Sequence, residues 1–306
     1  MKVLVTGGTG MVGKAVQEVL PEAFFVGSDS YNLKDFTNVR DMFVDIAPDY
    51  VIHLAAKVGG VNANSTFLGD FYYDNITINS NVLECAKNAR VKKVVSLLST
   101  CIYPDKVKYP LTEDQIHCGP PHVSNYAYAY AKRMLDIQSR AYRDQYGCNF
   151  ITAVPNNLFG EFDNFHLEES HLIPALIRKI YEAKIKNSDV TLWGDGSPLR
   201  EFTYSKDVAK ILAFLLKNYN EPEPINIGHT KEYSVLELAK KVSNILEFSG
   251  NIIWNTDKPS GQHKKPSSNQ KLLNLGWREE EYTDLNLALN NTCCWFLDNY
   301  PNIRGA

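Results

Sequence analysis

A chain of 306 residues, 44% hydrophobic and 22% charged, is long enough to bury one large nucleotide-binding domain and a smaller partner. A formal net charge of -3 and a pI near 6.2 give no support for wholesale nucleic-acid or membrane binding but leave room for a local basic pocket that holds a phosphorylated ligand. No apolar stretch reaches membrane-spanning length, Met1-Lys2 leaves no space for a signal peptide, and the six cysteines form no CxxC pair, so a cytoplasmic protein with free thiols and no metal is expected.

In chain order, Val3-Leu4-Val5-Thr6 reads as a strand and Met11 to Leu20 as a helix, with glycines between them. Further strands are predicted at Phe24-Phe25-Val26, Val51-Ile52-His53-Leu54, Val94-Val95-Ser96-Leu97 and Phe150-Ile151-Thr152-Ala153-Val154. Helices at Phe67 to Arg90 and Tyr126 to Tyr146 separate two of them. Strands alternating with helices, without hairpin signals, imply an α/β protein with a Rossmann-type doubly wound parallel sheet.

After Pro155 the texture turns polar and aromatic, and Asn156 to Phe165 reads as loop. A smaller, discontinuous α/β domain is expected beyond it, with a helix from His171 to Ala183, a strand at Val190 to Trp193, and helices at Val235 to Leu246 and Leu285 to Leu297. Ser205 to Leu216 and Ile225 to Ile227 read as a helix and strand returning to the first domain. The boundaries are therefore 1–160 with 201–228 for the dinucleotide, and 161–200 with 229–306 for the substrate.

The spacing Gly7-x-x-Gly10-x-x-Gly13, after a strand and before a helix, lets backbone approach a pyrophosphate at the positive helix end. Its choice of dinucleotide is less direct. Asp29, after the second strand, either binds a ribose diol, which favours NAD, or caps the next turn. Tyr128 and Lys132 are four apart on one helix, so the ammonium can lie beneath the phenol, lower its pKa and ready it as a proton donor. Such a pair reduces carbonyls.

With the segments VIHLAAKVGG (51–60), LSTCIYP (98–104), YAYAK (128–132), PNNLFG (155–160), DNF (163–165), HLIPAL (171–176) and WGDGSPLREF (193–202), the chain resembles the GDP-L-fucose synthase family of the extended short-chain dehydrogenase/reductase superfamily. That resemblance implies a dual epimerase and reductase acting on GDP-4-keto-6-deoxy-D-mannose with NADP(H), usually as a homodimer built through the two long helices. It implies that Ser99 hydrogen-bonds the substrate carbonyl, Tyr128 donates the proton, and Lys132 binds the nicotinamide ribose. Cys101 and His171 match the epimerising acid/base pair.

By the same resemblance Gly7, Gly10, Met11, Val12 and Gly13 hold the cofactor diphosphate, and Ser28 and Asp29 lie at its ribose. Ala55, Ala56, Leu98, Pro155, Asn157, Leu158 and His171 complete its contacts. For the sugar nucleotide, Ser99, Asn157, Lys179, Trp193 and Arg200 match substrate positions. Taken singly, Tyr128 reads as a packed aromatic, Lys132 as a snorkelling cation, Cys101 as a small core residue, and Trp193 equally as core or pocket wall. Lys179 and Arg200 are solvated charges or a diphosphate grip.

Two departures stand out. No lysine or arginine adjoins Ser28 and Asp29 to take a 2′-phosphate, and Lys258-Pro259-Ser260-Gly261 has serine where the family has aspartate. The rival readings are a C4 reductase of a related GDP-4-keto sugar that does not epimerise, and a non-catalytic dinucleotide sensor.

Overall fold

The structure, a computed structural model, describes residues 1–257 and 263–306; Ser260 lies outside them. The first half alternates as expected: β1 (Val3–Thr6), α1 (Met11–Val19), β2 (Phe24–Val26), α2 (Phe36–Ile46), β3 (Tyr50–His53), α3 (Val61–Thr66), α4 (Leu68–Asn88), β4 (Lys93–Leu97), α5 (Tyr126–Tyr146) and β5 (Phe150–Val154). Asp35 starts α2 by accepting from the N–H groups of Thr37 and Asn38, and Gly147, at φ +69°, ends α5 in the left-handed region that glycine tolerates. The second half holds β6 (Asn157–Phe159), α6 (Leu172–Ile185), β7 (Val190–Trp193), β8 (Leu199–Tyr204), α7 (Ser205–Asn218), β9 (Ile225–Asn226), β10 (Glu232–Ser234), α8 (Val235–Ile245), β11 (Ile252–Asn255), α9 (Gln270–Asn274) and α10 (Leu285–Asn299).

Among the described residues the main sheet runs β2-β1-β3-β4-β5-β9, every neighbouring pair parallel. Side chains alternate across its faces. Leu4, Val51, Val94 and Phe150 pack on one side with Met42 of α2, Val82 of α4 and Leu135 of α5. Val5, Ile52, Val95 and Ile151 pack on the other with Val16 of α1 and Val208 and Leu212 of α7. A third core joins α6, α8 and α10 to β7 and β8 through Ile177, Leu238, Phe296, Leu192 and Phe202.

The Asn156–Phe165 stretch is not all loop: β6 forms there, parallel to β8, and β10 pairs antiparallel with β8. Three residues, Asn157-Leu158-Phe159, are too short a run to carry a local strand signal, so the partner strand orders β6. Likewise the predicted Phe67–Arg90 helix begins at Leu68, with α3 as a separate short helix before it.

From β1 the chain winds out to β2 and then returns past β1 to β3, so the two connections part at the C-terminal ends of β1 and β3. Ligands of doubly wound sheets bind at such a switch point. Buried beside it, His53 has Nδ1 2.7 Å from Thr6 Oγ1 and Nε2 3.0 Å from Asn79 Oδ1, partners that a neutral ring satisfies by accepting at Nδ1 and donating at Nε2. Burial, then the nearby Lys132 ammonium, push its pKa down to about 3.

The unfolded ring, with pKa ~6.5, therefore binds a proton that the folded one refuses between about pH 6.5 and 3. Stability contributed by this group is present above that window and falls as pH drops through it, by up to about 1.4 kcal/mol per pH unit. Urea unfolding between pH 6.5 and 4.5 is expected to show a shallower fall for His53→Gln than for the parent; equal slopes would discount the histidine.

Candidate active site

Gly7 ends β1 at φ +70°, and a Cβ there would meet the Ala55 nitrogen at 2.8 Å. A Cβ on Gly13 would lie 2.4 Å from the Gly7 carbonyl oxygen, so only glycine lets α1 nest this closely against the loop. Gly10 caps α1 without a side chain, leaving the first backbone N–H groups of the helix to an anion.

This loop forms one end of a cavity of about 670 Å³. Gly7, Gly10, Met11, Val12, Gly13 and Ser28 line that end, Ala55 and Ala56 the middle, and Leu98, Ser99, Tyr128, Lys132, Pro155, Asn157, Leu158 and His171 the rest. The glycine cradle, the open helix terminus and the one cavity that they share with Tyr128 fit a dinucleotide with its nicotinamide towards Tyr128. Asp29 is exposed and outside this lining.

Two cations that sequence reading missed enter the same cavity. Lys34 Nζ stands 3.2 Å from Asp74 Oδ1, and Lys57 Nζ 3.0 Å from Asp74 Oδ2. Lys34 follows Ser28 by six residues; no local pattern shows that the intervening turn folds it back.

At the other end Ser99 introduces a single 3₁₀ turn, Thr100–Ile102, and its Oγ accepts weakly from the Cys101 N–H at 3.4 Å. The turn follows directly from β4, placing Ser99 and Cys101 beside α5. Tyr128 packs edge-on against Phe71 of α4, ring centroids 6.2 Å apart at 82°, which fixes its orientation. Lys132 is almost fully buried and donates from Nζ to the Leu97 carbonyl at 2.8 Å.

Burial lowers the Lys132 pKa to about 8, partly offset by Cys101. Burial raises the Tyr128 phenol well above its ordinary value, and Cys101 adds to the rise. The expected lowering of the phenol by Lys132 is therefore not what the structure has, because the ammonium is engaged with Leu97 and desolvation dominates. A phenol held protonated still suits a donor to an alkoxide, the stronger base.

Burial also pushes the Cys101 thiol up, while Ser99, Lys265 and Lys132 pull it down. His171 precedes α6 without capping it, and burial followed by Arg304 lowers its pKa, so the ring is neutral at pH 7. Arg304 and Asp163 line the cavity with His171. The Phe165 N–H donates to the Arg304 carbonyl at 3.0 Å and Arg178 bonds the Gly305 carbonyl, fastening this segment over the site.

Asp163 is buried; its Oδ1 accepts from the Asn164 N–H at 2.7 Å, and Oδ2 has no partner among the described residues. Burial raises its pKa to about 7. The DNF segment was the only signal for Asp163, and nothing in sequence pointed to Arg304.

Cys101, Lys179, Trp193 and Arg200 lie outside the cavity's lining, Cys101 directly after its lining residue Thr100. Trp193 is 60% exposed, which removes the core alternative, and Lys179 Nζ lies 5.4 Å from its ring centroid. Arg200 donates to the Leu199 carbonyl at 2.7 Å and the His263 carbonyl at 3.3 Å.

A glycine cradle at the switch point of a parallel sheet, with Ser99, Tyr128 and Lys132 at the far end of its cavity, defines a dinucleotide-dependent oxidoreductase of the extended short-chain dehydrogenase/reductase class. Residues 3–228 match the NAD dependent epimerase/dehydratase family. A GDP-L-fucose synthase of Dictyostelium discoideum is 45% identical over 311 residues, covering 99% of this chain and 97% of the relative. That of Escherichia coli K12 is 35% identical over 319 residues, covering 99% of both. A crystal structure of a GDP-L-fucose synthetase from Naegleria fowleri bound to NADP superimposes with a TM-score of 0.93 at 41% identity, covering 99% of this chain and 96% of that one. The chain belongs to the GDP-L-fucose synthase family within the NAD dependent epimerases/dehydratases.

Proposed function

We propose that the chain epimerises GDP-4-keto-6-deoxy-D-mannose at C3 and C5 and reduces it at C4 with NADPH, yielding GDP-L-fucose in the cytoplasm. The observation that supports this reading is a dinucleotide-sized cavity lined by Ser99, Tyr128, Lys132 and His171, with Cys101 outside the lining but beside Ser99, Tyr128 and Lys132. In it, residues 1–160 with 201–228 hold the dinucleotide, and 161–200 with 229–306 receive the sugar nucleotide.

A C4 ketone acidifies the protons at C3 and C5, because either carbanion delocalises onto the same oxygen. Ser99 and Tyr128 serve that oxygen in both steps, while Cys101 and His171 remove and return ring protons. Bound in the cavity, the dihydronicotinamide supplies the hydride that reaches C4. Tyr128 then gives its phenolic proton to the C4 oxygen. Lys179 and Arg200 serve the diphosphate, and Trp193 walls the nucleotide side.

The family's dimer geometry is proposed too. Tyr72, Tyr126 and Ile137 are exposed on α4 and α5, and Leu68, Tyr130 and Met134 line a shallow apolar groove there, a face suited to a second copy.

One assay with GDP-4-keto-6-deoxy-mannose tests the function. Oxidation of NADPH with appearance of GDP-L-fucose is expected. An unepimerised 6-deoxyhexose would return the C4-reductase reading, and no turnover the sensing protein. NADPH is expected to exceed NADH in kcat/KM, with Lys34 as the cation for the 2′-phosphate. Asp29→Ala should widen that ratio by removing like-charge repulsion and Lys34→Met should narrow it; comparable values for both cofactors in the parent would defeat the preference.

A further inference from the structure

The base assigned to Cys101 faces an electrostatic difficulty. A thiol of pKa ~8.5 becomes a useful base only where its surroundings favour the thiolate, and burial here works against that. The helper expected first, a protonated His171, is neutral for the reasons given above. A different cation must supply the charge.

Lys265 stands in the segment between β11 and α9, far from Cys101 in sequence. Its partly buried Nζ donates to the carbonyl of Thr100 at 3.0 Å, which anchors the ammonium to the residue preceding Cys101. The charged and titratable groups around the thiol are Tyr128, Lys132 and Arg133 of α5 and Lys265 itself, with Ser99 as a hydrogen-bonding neighbour. Burial lowers the Lys265 pKa, Cys101 and Asp105 oppose that by favouring the ammonium, and Arg200 lowers it further. Lys132 Nζ and Arg133 Nε donate to the carbonyls of Leu97 and Ile102, as Lys265 Nζ does to that of Thr100. Lys265 is the cation contributed from outside the Rossmann core.

Resting on the function proposed above, we infer that Lys265 is the positioning residue of Cys101: anchored on Thr100, its ammonium holds the neighbouring sulfur as the thiolate that deprotonates the ketosugar. The thiol proton leaves to solvent. In the step itself the ring C–H bond breaks and an S–H bond forms, and the electron pair passes into the enolate at Ser99 and Tyr128. Lys265 keeps its protons throughout.

The test is the pH dependence of alkylation of the part-buried Cys101 by iodoacetamide, read by peptide mass spectrometry to separate it from the exposed Cys118 and Cys294. Lys265→Gln retains a donor for the Thr100 carbonyl but not the charge. Its alkylation midpoint should rise by about one unit, roughly tenfold slower modification at neutral pH, and Lys265→Arg should restore it. Solvent-deuterium exchange into saturating ketosugar should fall in parallel for Lys265→Gln. An unchanged midpoint in a Lys265→Gln protein of parental melting temperature would overturn the inference, including when KM alone rises, as for a residue that only grips diphosphate. Alkylation needs no sugar, so this failure is distinct from failure of the underlying function, which shows as retained deuterium exchange in Cys101→Ser.

Discussion

Tyr128→Phe is expected to lower ketosugar reduction by roughly 10²–10⁴-fold, the usual loss with an acid/base group, while folding and dinucleotide binding stay near parental. The substitution removes only the phenolic oxygen. The ring's edge-on packing against Phe71, with centroids 6.2 Å apart, is available to phenylalanine as well. Lys132 keeps its bond to the Leu97 carbonyl, which does not involve the tyrosine. What disappears is the proton for the C4 alkoxide and one of two donors to the enolate, so epimerisation should also slow. Single-turnover oxidation of NADPH measures the first effect. Reduction at the parental rate would remove Tyr128 from the mechanism.

Cys101→Ser is expected to abolish solvent-deuterium incorporation at C3 and C5 in the absence of NADPH. An alcohol is a far weaker acid than a thiol, and the same cations that favour a thiolate cannot make an alkoxide at neutral pH. Hydride transfer to C4 should partly survive, since Ser99, Tyr128 and Lys132 are untouched, and the product is then an unepimerised 6-deoxyhexose. His171→Gln is expected to behave differently, permitting proton removal but impairing its return, with slow or incomplete inversion. Burial, followed by Arg304, lowers the His171 pKa, which favours a ring that gains a proton during the cycle before it gives one. NMR of the deuterated products reads both variants, and normal exchange in Cys101→Ser would sink the assigned base.

Asp29 and Lys34 show where local reading stops. The chain after β2 offers an acidic residue and no adjacent cation, which by itself favours NAD. Folding leaves Asp29 exposed and brings Lys34 into the cavity with Ser28, because Asn32-Leu33-Lys34 turns back before α2 begins. The charge at the end of the cavity depends on that turn and on Asp74 of α4, neither of which has a signature within a few residues of Ser28.

By itself the sequence determined the alternation of strands and helices, the glycine cradle and the likeness that singles out Ser99, Cys101, Tyr128, Lys132 and His171. These rest on short-range physics: periodic burial, the room a missing Cβ leaves, and helical spacing. Tertiary structure alone decided β6, Arg304, Lys34 and Lys265, each of which acquires its surroundings from residues distant along the chain. It also decided the protonation of the site. Burial raises Tyr128 and Cys101 and lowers Lys132 and His171, and desolvation is a property of the assembled core that no stretch of residues carries in its own order.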